Sequence, residues 1–388
     1  MTTLLAPAEE AGVAAAVAEA FAAGEPLAIE GMGSKRRMLR PVQAARTLTT
    51  RGLSGITLYR PKELVISARA GTMLAEIETV LAAEGQMLIA ESAAAGPWSS
   101  GASTLGGMVA ANLSGPRRIT AGAMRDHVLG VRFVNGQGEV LRSGGRVLKN
   151  VTGLDLCKLL SGRHGTLGVL TEITLKVLPR PETAATLVIR VADAATGVRA
   201  LSAGLGSPYG VSGAAVLPDA PDGPLALLRI EDFSSFVAYR MERLRADLAA
   251  FGEHRVADAG ETVTLWDDIG TAAPLAAAVS DAVWRVSVKP TEGPRVLDTV
   301  AEAGLRGYLD WGGGLVWLAG PATRAAHAAV MAAAGSGTFL VVHGPASFRA
   351  AVPVIPEEAP PLAALSRRVK AALDPKGILN PGRMRAGM

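Results

Sequence analysis

The chain has 388 residues, which leaves room for two domains with substantial cores at roughly 100–200 residues per domain. The formal net charge of +4 is small, and lysine and arginine are not gathered into one basic run, which disfavours nucleic acid as a partner. The single cysteine, Cys157, excludes an internal disulfide and favours a reducing compartment. No run of about twenty apolar residues predicts a membrane span, so we expect a cytoplasmic protein.

The first part of the chain alternates helices and strands. Glutamates interrupt an alanine-rich stretch at helical spacing, which predicts an amphipathic helix over residues 8–23 rather than a signal peptide. A strand is predicted at 26–30 and another at 63–70, and a helix follows at about 72–84.

A hairpin and a long strand come next. The hairpin is predicted over residues 131–142, because Asn135-Gly136 supplies the positive φ angles of a tight turn. β-branched residues at alternate positions predict a strand over 169–178. Pro179-Arg180-Pro181 marks a domain boundary, since prolines lack the amide donor that strand pairing needs.

The second half again mixes strands and helices, and no internal repeat stands out. The strand candidates are Thr186–Val191, Leu225–Ile230, Ala282–Val288 and Gly314–Leu318, and the helix candidates are 234–251, 294–304, 322–334 and 359–373. We therefore expect an α+β fold in three parts, with boundaries at 1–180, 181–345 and 346–388.

Three segments rich in glycine carry most of the functional information. Thr104–Gly115 is apolar and crowded with small residues, which leaves peptide N–H groups free to face a flat ligand. Upstream, a predicted strand ends in Gly31–Lys35, whose amides and lysine would hold a diphosphate. Downstream, Ser161–Gly168 places glycines at the mouth of the next predicted strand. Taken alone, Thr104–Gly115 is better explained by a packing seam and the upstream glycine turn by a structural turn, but the three segments together favour one extended, phosphate-containing ligand.

The first segment matches neither of two common phosphate-binding fingerprints. It lacks the third glycine and the later acidic residue of a dinucleotide fingerprint, and it lacks the four-residue spacer of a P-loop.

The order of the motifs resembles a known flavoprotein domain. Gly31-x-Gly33-Ser34, Gly71, Thr104–Gly107, Asp126–Gly130 and Gly165–Gly168 together resemble the FAD-binding domain of the vanillyl-alcohol oxidase and p-cresol methylhydroxylase (PCMH) superfamily. Three further motifs resemble, more specifically, the family of E subunits of bacterial glycolate oxidases. These motifs are Lys149–Leu156, Asp310–Gly314 and Asp374–Arg383.

The resemblance implies a fold and a cofactor. The fold is a PCMH-type FAD-binding domain of two α/β subdomains, followed by an antiparallel-sheet cap domain and a C-terminal tail that returns to the FAD domain. The first glycine motif contains no His or Cys, so we expect FAD to be held without a covalent bond. The residues expected to bind FAD are Gly31, Met32, Gly33, Ser34, Lys35, Ser92, Thr104, Leu105, Gly106, Gly107, Ala111, Asn112, Gly115, Gly122, Asp126, Gly162, His164, Gly165, Thr166, Gly168 and Val169.

The same resemblance implies an FAD-dependent oxidoreductase that contributes to the oxidation of glycolate, or a similar short 2-hydroxy acid, to glyoxylate. Its expected partners are a larger D-type flavoprotein subunit and an iron–sulfur F-type subunit that receives electrons, and through them it would reach the inner membrane. Two alternatives stay open. The chain either binds FAD only to relay electrons or to support assembly, or is a stand-alone flavin oxidase of an alcohol or lactone.

Catalytic candidates come from the cap. Arg285 suits a bidentate pair with a substrate carboxylate, Lys289 lies on the same predicted strand, and Trp311 belongs to the Asp310–Gly314 motif. Ordinary surface charges and a core tryptophan are the alternatives. Related hydroxy-acid dehydrogenases carry a His-x-Gly-Asp-Gly-Asn-x-His motif in the cap. This chain lacks it, and its 5 histidines stand alone, so we expect no metal site.

Overall fold

The computed structural model describes residues 3–89, 91, 102–146 and 153–388. Two of the sequence features lie outside these ranges, namely Ser92 and residues 149–152 of the Lys149–Leu156 motif.

The N-terminal domain contains two larger sheets and a two-stranded antiparallel sheet of β6 and β10. Its strands are β1 (Thr3–Leu5), β2 (Leu27–Glu30), β3 (Arg46–Thr49), β4 (Ile56–Arg60), β5 (Val65–Arg69), β6 (Gln86–Met87), β7 (Val128–Val134), β8 (Val140–Gly144), β9 (Val169–Lys176) and β10 (Leu178–Pro179). Its helices are α1 (Glu10–Ala23), α2 (Leu74–Ala83), α3 (Leu105–Ala111), α4 (Arg118–Ala121) and α5 (Leu156–Leu160). A parallel sheet has the order β1-β3-β2, and an antiparallel sheet has the order β4-β5-β9-β7-β8.

Each of the two larger sheets has its own hydrophobic core. Val13 and Val17 of α1 are fully buried against the parallel sheet, while Phe133 and Ile173 lie in the core of the antiparallel sheet. Two mixed subdomains of this kind are what the resemblance implies.

The predicted hairpin is present, but its turn differs from the expectation. β7 pairs with β8 in antiparallel register up to Val134 and Val140. The positive φ of +86° belongs to Gly138, not to Asn135-Gly136. Asn135 instead accepts hydrogen bonds from the Gln137 and Glu139 amides through its side chain, which makes an Asx turn.

The cap is built on one eight-stranded antiparallel sheet. Its strands are β11 (Thr183–Arg190), β12 (Val211–Leu217), β13 (Leu225–Asp232), β14 (His254–Ala257), β15 (Asp281–Ser287), β16 (Arg306–Asp310), β17 (Leu315–Pro321) and β18 (Thr338–His343). The helices are α6 (Ala194–Leu205), α7 (Ser234–Asp247), α8 (Ala259–Thr271), α9 (Gly293–Ala301) and α10 (Arg324–Ala334).

The cap sheet contains a repeat that is not detected in the sequence. Its strand order is β14-β11-β13-β12-β16-β17-β15-β18. β11 to β14 and β15 to β18 each follow a strand–helix–strand–strand–helix–strand path, with α8 inserted between them. The two halves meet where β12 pairs with β16 at Val216 and Leu309.

The C-terminal segment returns to the N-terminal domain. After α11 (Ala346–Ala351) and α12 (Pro360–Leu373), the chain runs beside β2, where the Leu27 amide donates to the Ile378 carbonyl at 2.8 Å. The Asp374 carboxylate fixes this turn by accepting hydrogen bonds from Lys370 Nζ, at 2.7 Å, and from the Ile378 and Leu379 amides. The returning tail is therefore confirmed as part of the fold.

Candidate functional site

A cleft of about 320 Å³ opens where β2, α3, the loop before β9 and the C-terminal tail meet. All three glycine segments contribute to its wall. The predicted FAD-binding residues that line it are Gly31, Met32, Gly33, Ser34, Lys35, Thr104, Gly106, Gly107, Ala111, His164, Gly165, Gly168 and Val169.

The first glycine turn brings a buried cation into the cleft. Lys35 Nζ donates to Ser103 Oγ at 2.9 Å and to Ser34 Oγ at 3.2 Å. Burial lowers the pKa of Lys35 to about 8. Because hydroxyl groups do not neutralise an ammonium, an anion in the cleft would gain a strong partner there.

The glycines around α3 serve two different purposes. At Gly31 a Cβ would stand 2.3 Å from Thr104 Oγ1, and at Gly106 it would stand 2.8 Å from the Ala70 Cβ. Those two glycines let backbone segments pack together. At Gly107 the nearest atoms would be Thr104 Oγ1 at 3.2 Å and Lys35 Nζ at 4.0 Å, so its missing side chain leaves space beside the cation.

The third glycine segment is held by the tail. His164 has a positive φ of +50° and Gly165 one of +73°, so the loop turns sharply here. The Asn380 side chain donates to the His164 carbonyl at 2.7 Å and to the Ile29 carbonyl at 3.1 Å, and it accepts from the Ile29 amide at 2.7 Å. One side chain thus ties β2 to the His164 loop.

Positive charge accumulates on this side of the cleft. Arg383 donates to the carbonyl oxygens of Lys35, at 2.5 Å, and of Arg40, at 3.2 Å. Burial lowers the pKa of Arg383 to about 10. Desolvation, together with the charges of Arg383, Lys35 and Arg163, lowers the pKa of His164 to about 3, so its ring is neutral at physiological pH.

Asn380, Arg383 and Arg163 line the cleft but are absent from the set expected from sequence. Asn380 and Arg383 belong to the tail motif Asp374–Arg383. That motif predicted that the tail returns to the FAD domain, but it assigned no role to either side chain.

The other predicted cofactor residues that the structure describes do not line the cleft. Leu105 is in the core, and Asn112 and Gly162 face each other, since a Gly162 Cβ would be 3.2 Å from the Asn112 Cβ. The Thr166 hydroxyl donates to the Arg163 carbonyl at 2.7 Å. Gly115, Gly122 and Asp126 lie on the connection from α3 to β7. Their roles, and that of Ser92, stay predictions.

Two of the three catalytic candidates meet at the junction of the cap and the FAD domain. The Arg285 guanidinium lies 5.1 Å from the centroid of the Trp311 ring, and Trp311 Nε1 donates to the Gly115 carbonyl at 3.0 Å. Arg118 of α4 lies against the same ring at 4.2 Å. The prediction that Lys289 shares the strand of Arg285 is wrong, because β15 ends at Ser287. Lys289 is exposed and directly precedes the turn Pro290–Glu292. None of the three candidates lines the cleft.

A buried ion network clamps the cap to the FAD domain beside this tryptophan. Arg117 pairs with Glu91 at 3.1 Å and with Glu231 of β13 at 2.6 Å. Arg229, also on β13, pairs with the same two carboxylates at 2.7 and 3.2 Å. The network therefore joins two residues of the FAD domain to two of the cap.

Across the described ranges, no group of three or more His, Cys, Asp or Glu side chains is arranged to hold a metal ion. No helix in the same part of the chain is long and apolar enough to cross a bilayer.

Comparison with known proteins gives matches over almost the whole chain. The model of an FAD binding domain matches residues 2–144, and the C-terminal domain of FAD linked oxidases matches residues 330–384. Glycolate oxidase subunit GlcE of Escherichia coli is 36% identical over 373 residues, which is 95% of both chains. Glycolate oxidase subunit GlcD of Bacillus subtilis is 43% identical over 86 residues, covering 22% of this chain and 18% of GlcD.

Solved structures share the fold at low sequence identity. An alkyldihydroxyacetonephosphate synthase superposes with a TM-score of 0.70 at 16% identity, covering 97% of this chain and 75% of its own. The 4-ethylphenol oxidase from Gulosibacter chungangensis gives a TM-score of 0.69 at 12% identity, covering 98% of this chain and 88% of its own. The α+β arrangement of FAD domain and cap is thus confirmed.

Proposed function

The chain belongs to the glycolate oxidase GlcE family of FAD-linked oxidoreductases, and on that premise we propose that it is the FAD-binding subunit of a complex that oxidises glycolate or a similar short 2-hydroxy acid. The observation that carries the proposal is the cleft, where three glycine segments and one buried lysine converge. In the oxidation of glycolate to glyoxylate, bound FAD would supply the acceptor for the hydride from carbon.

The residues of the cleft fit a dinucleotide. Lys35 offers an ammonium that no described carboxylate neutralises, which suits the diphosphate. Gly107 and Ala111 keep the α3 side of the cleft free of bulky side chains. Asn380 fixes the distance between β2, which leads into the first glycine segment, and the third glycine segment, because its amide bonds to Ile29 and to His164. FAD is therefore the cofactor, held in this proposal without a covalent bond.

The partners follow from the relatives rather than from a surface of this chain. GlcE and GlcD are both named as subunits of glycolate oxidase, which supports a multi-subunit enzyme. We propose a larger D-type flavoprotein and an iron–sulfur subunit as the partners, with electrons leaving through the latter.

A second function has its own support. Arg285, Lys289 and Trp311 do not line the cleft, and His164 is the only histidine among the described residues that does. Glu30 is the only carboxylate among the described residues that line the cleft, and it is paired with Arg36, so no unpaired carboxylate base lies there. This favours a relay or assembly role for the subunit, with oxidation performed by the larger partner.

Anaerobic rapid mixing with glycolate tests both functions. We expect the FAD-loaded chain alone to show little bleaching of the flavin band near about 450 nm, and the band to bleach once a D-type subunit is added. Fast bleaching of the chain alone, lost in Arg285→Ala, would remove the relay role. A chain that takes up no FAD under any loading condition would overturn the proposal itself.

Matched glycine variants test the position of the cofactor. Gly107→Val places a side chain beside Lys35 and should lower FAD occupancy in a folded protein. Gly145→Val is the control, because no atom of a described residue lies within 4 Å of a Cβ built at that position. Equal FAD content in the two variants would mean that FAD does not lie along α3.

A further inference from the structure

Two arginines at the junction of the cap and the FAD domain lack a counter-ion among the described residues. The Arg285 side chain donates no hydrogen bond to a described residue, and its Nε is buried without a partner although the residue is only 9% exposed. The Arg118 guanidinium lies over Trp311 and forms no ion pair with a described carboxylate. Burial lowers the pKa of both groups, and that of Arg285 falls to about 10.

The other charges nearby do not supply the missing negative charge. Glu91 and Glu231 already balance Arg117 and Arg229. Asp310 is the remaining buried acid, and it accepts the Trp311 amide at 2.6 Å.

Burial raises the pKa of Asp310 to about 7, so at neutral pH it carries only part of a negative charge. On the outer side, Arg118 faces Arg125 and Asp126, which form an ion pair with each other. The junction therefore keeps a net positive charge around Trp311.

A buried guanidinium without a counter-ion is costly, because burial removes the water that solvates the charge. The rings of Trp311 and Trp317, at 5.1 and 5.0 Å from Arg285, offset only part of that cost. Arginine also presents planar donors that match a carboxylate. Arg285 is buried and Arg118 is half-buried, and neither has a carboxylate partner among the described residues, which is typical of a site whose anion arrives with the ligand.

We propose that Arg118 and Arg285, both packed on Trp311, bind the carboxylate of a small 2-hydroxy acid at the junction of the FAD domain and the cap. The inference rests on the proposed function and adds Arg118 as a second recognition residue, supplied by the FAD domain rather than the cap. The acid is a monoanion at neutral pH, and its single carboxylate would supply the negative charge that the arginines around Trp311 lack.

Calorimetric titration of the full-length, FAD-loaded chain with oxamate tests the site without turnover, because oxamate carries the carboxylate and no oxidisable hydroxyl. Arg118→Gln and Arg285→Gln should each weaken oxamate binding by about 10-fold or more, as expected for loss of a charge-assisted hydrogen bond. Arg125→Gln, a nearby exposed arginine in the same segment, should change it by less than about 2-fold. Neutral oxamide should not bind.

The Tm of thermal unfolding is a second readout, because an anion-binding role and a purely structural role of Arg285 predict changes of opposite sign. Removal of an uncompensated buried charge should leave the Tm of the ligand-free Arg285→Met variant unchanged or higher, whereas loss of a structural contact would lower it. A lowered Tm, or oxamate binding that is equal in all variants or absent in the parent chain, overturns the anion site. Normal FAD content in those samples would leave the FAD-binding role of the proposed function intact.

Discussion

The cofactor cleft and the cap junction differ in the residues that form them. The cleft is walled mainly by glycine, alanine and other small residues around one buried ammonium. The junction has arginines and carboxylates packed on tryptophan, and most of its charges are paired. The cleft stays open because many of its wall residues have small side chains or none. The junction instead depends on hydrogen bonds between residues more than 100 positions apart. Cofactor binding and domain attachment should therefore fail independently.

The largest expected effect is on the stability of the junction. Burial favours the neutral acid of Glu231, but the hydrogen bond from Arg117 and the charge of Arg229 outweigh it and lower the pKa. Glu231→Gln leaves both arginines short of a partner and should reduce the free energy of unfolding by about 3 kcal/mol. Urea titration measures this, and FAD affinity should stay unchanged.

The sign of the pH effect follows from the lowered pKa. The carboxylate of Glu231 stabilises the fold above its unfolded-state pKa, and that contribution is lost as pH falls through the lower folded-state value. The control is Glu261→Gln, which breaks a solvent-exposed pair with Arg255 and should cost less than about 0.5 kcal/mol. Equal costs for the two variants would contradict a structural role for the junction network.

The next largest effect concerns the tail wall of the cleft. Asn380→Gly keeps the positive φ of +43° accessible but removes three side-chain hydrogen bonds. FAD affinity should fall by roughly 10-fold or more, since each such bond contributes about 0.5–1.5 kcal/mol. Fluorescence titration with FAD measures this. Lys376→Gln is the control on the same tail, because Lys376 bonds to the end of α1 and not to the cleft.

A smaller effect on FAD affinity tests the contribution of the Lys35 charge separately from the shape of the cleft. Lys35 has a pKa of about 8 because it is buried, and a bound diphosphate would raise it. FAD binding should therefore take up a proton and weaken above about pH 8, by at most about 10-fold per pH unit. The dissociation constant measured from pH 7 to pH 10 checks this. In Lys35→Met the binding should be weaker throughout and lose this pH dependence, and a variant that keeps it would assign the titration to another group.

The smallest expected effect is at His164. Its pKa of about 3 keeps the ring neutral, so FAD affinity should show no step between pH 5 and pH 7. Mass spectrometry of the denatured chain should find no flavin adduct, and His164→Gln should retain the cofactor. An adduct that disappears in His164→Gln would replace non-covalent binding with a histidyl linkage.

The glycine segments of the cleft could be predicted from the sequence, whereas the ion network of the junction could not. The glycine segments are local motifs, so spacing and resemblance alone sufficed to group Gly33, Gly107 and Gly165, which line one cleft in the structure. The ion network of Glu91, Arg117, Arg229 and Glu231 is spread over 140 positions, and nothing in the local pattern distinguishes these residues from surface charges.

Tertiary packing also overrides local propensity in the cap. Helix α6 was not predicted, because Gly197 and Gly204 reduce its helical propensity. Both glycines are required by close packing, since a Cβ at Gly204 would stand 2.2 Å from Leu228 and one at Gly197 would stand 2.8 Å from Val216. The repeat of the cap is likewise a property of strand order rather than of sequence similarity.

The hydrogen bond between Asn380 and the His164 carbonyl has a consequence for biosynthesis. It joins positions 216 residues apart, so the ribosome completes the glycine loop long before it adds the residue that holds the loop in place. Until then the emerging polypeptide has a site with one wall missing. We therefore expect flavin to load late in the life of each molecule, and products of premature termination upstream of residue 380 to be colourless.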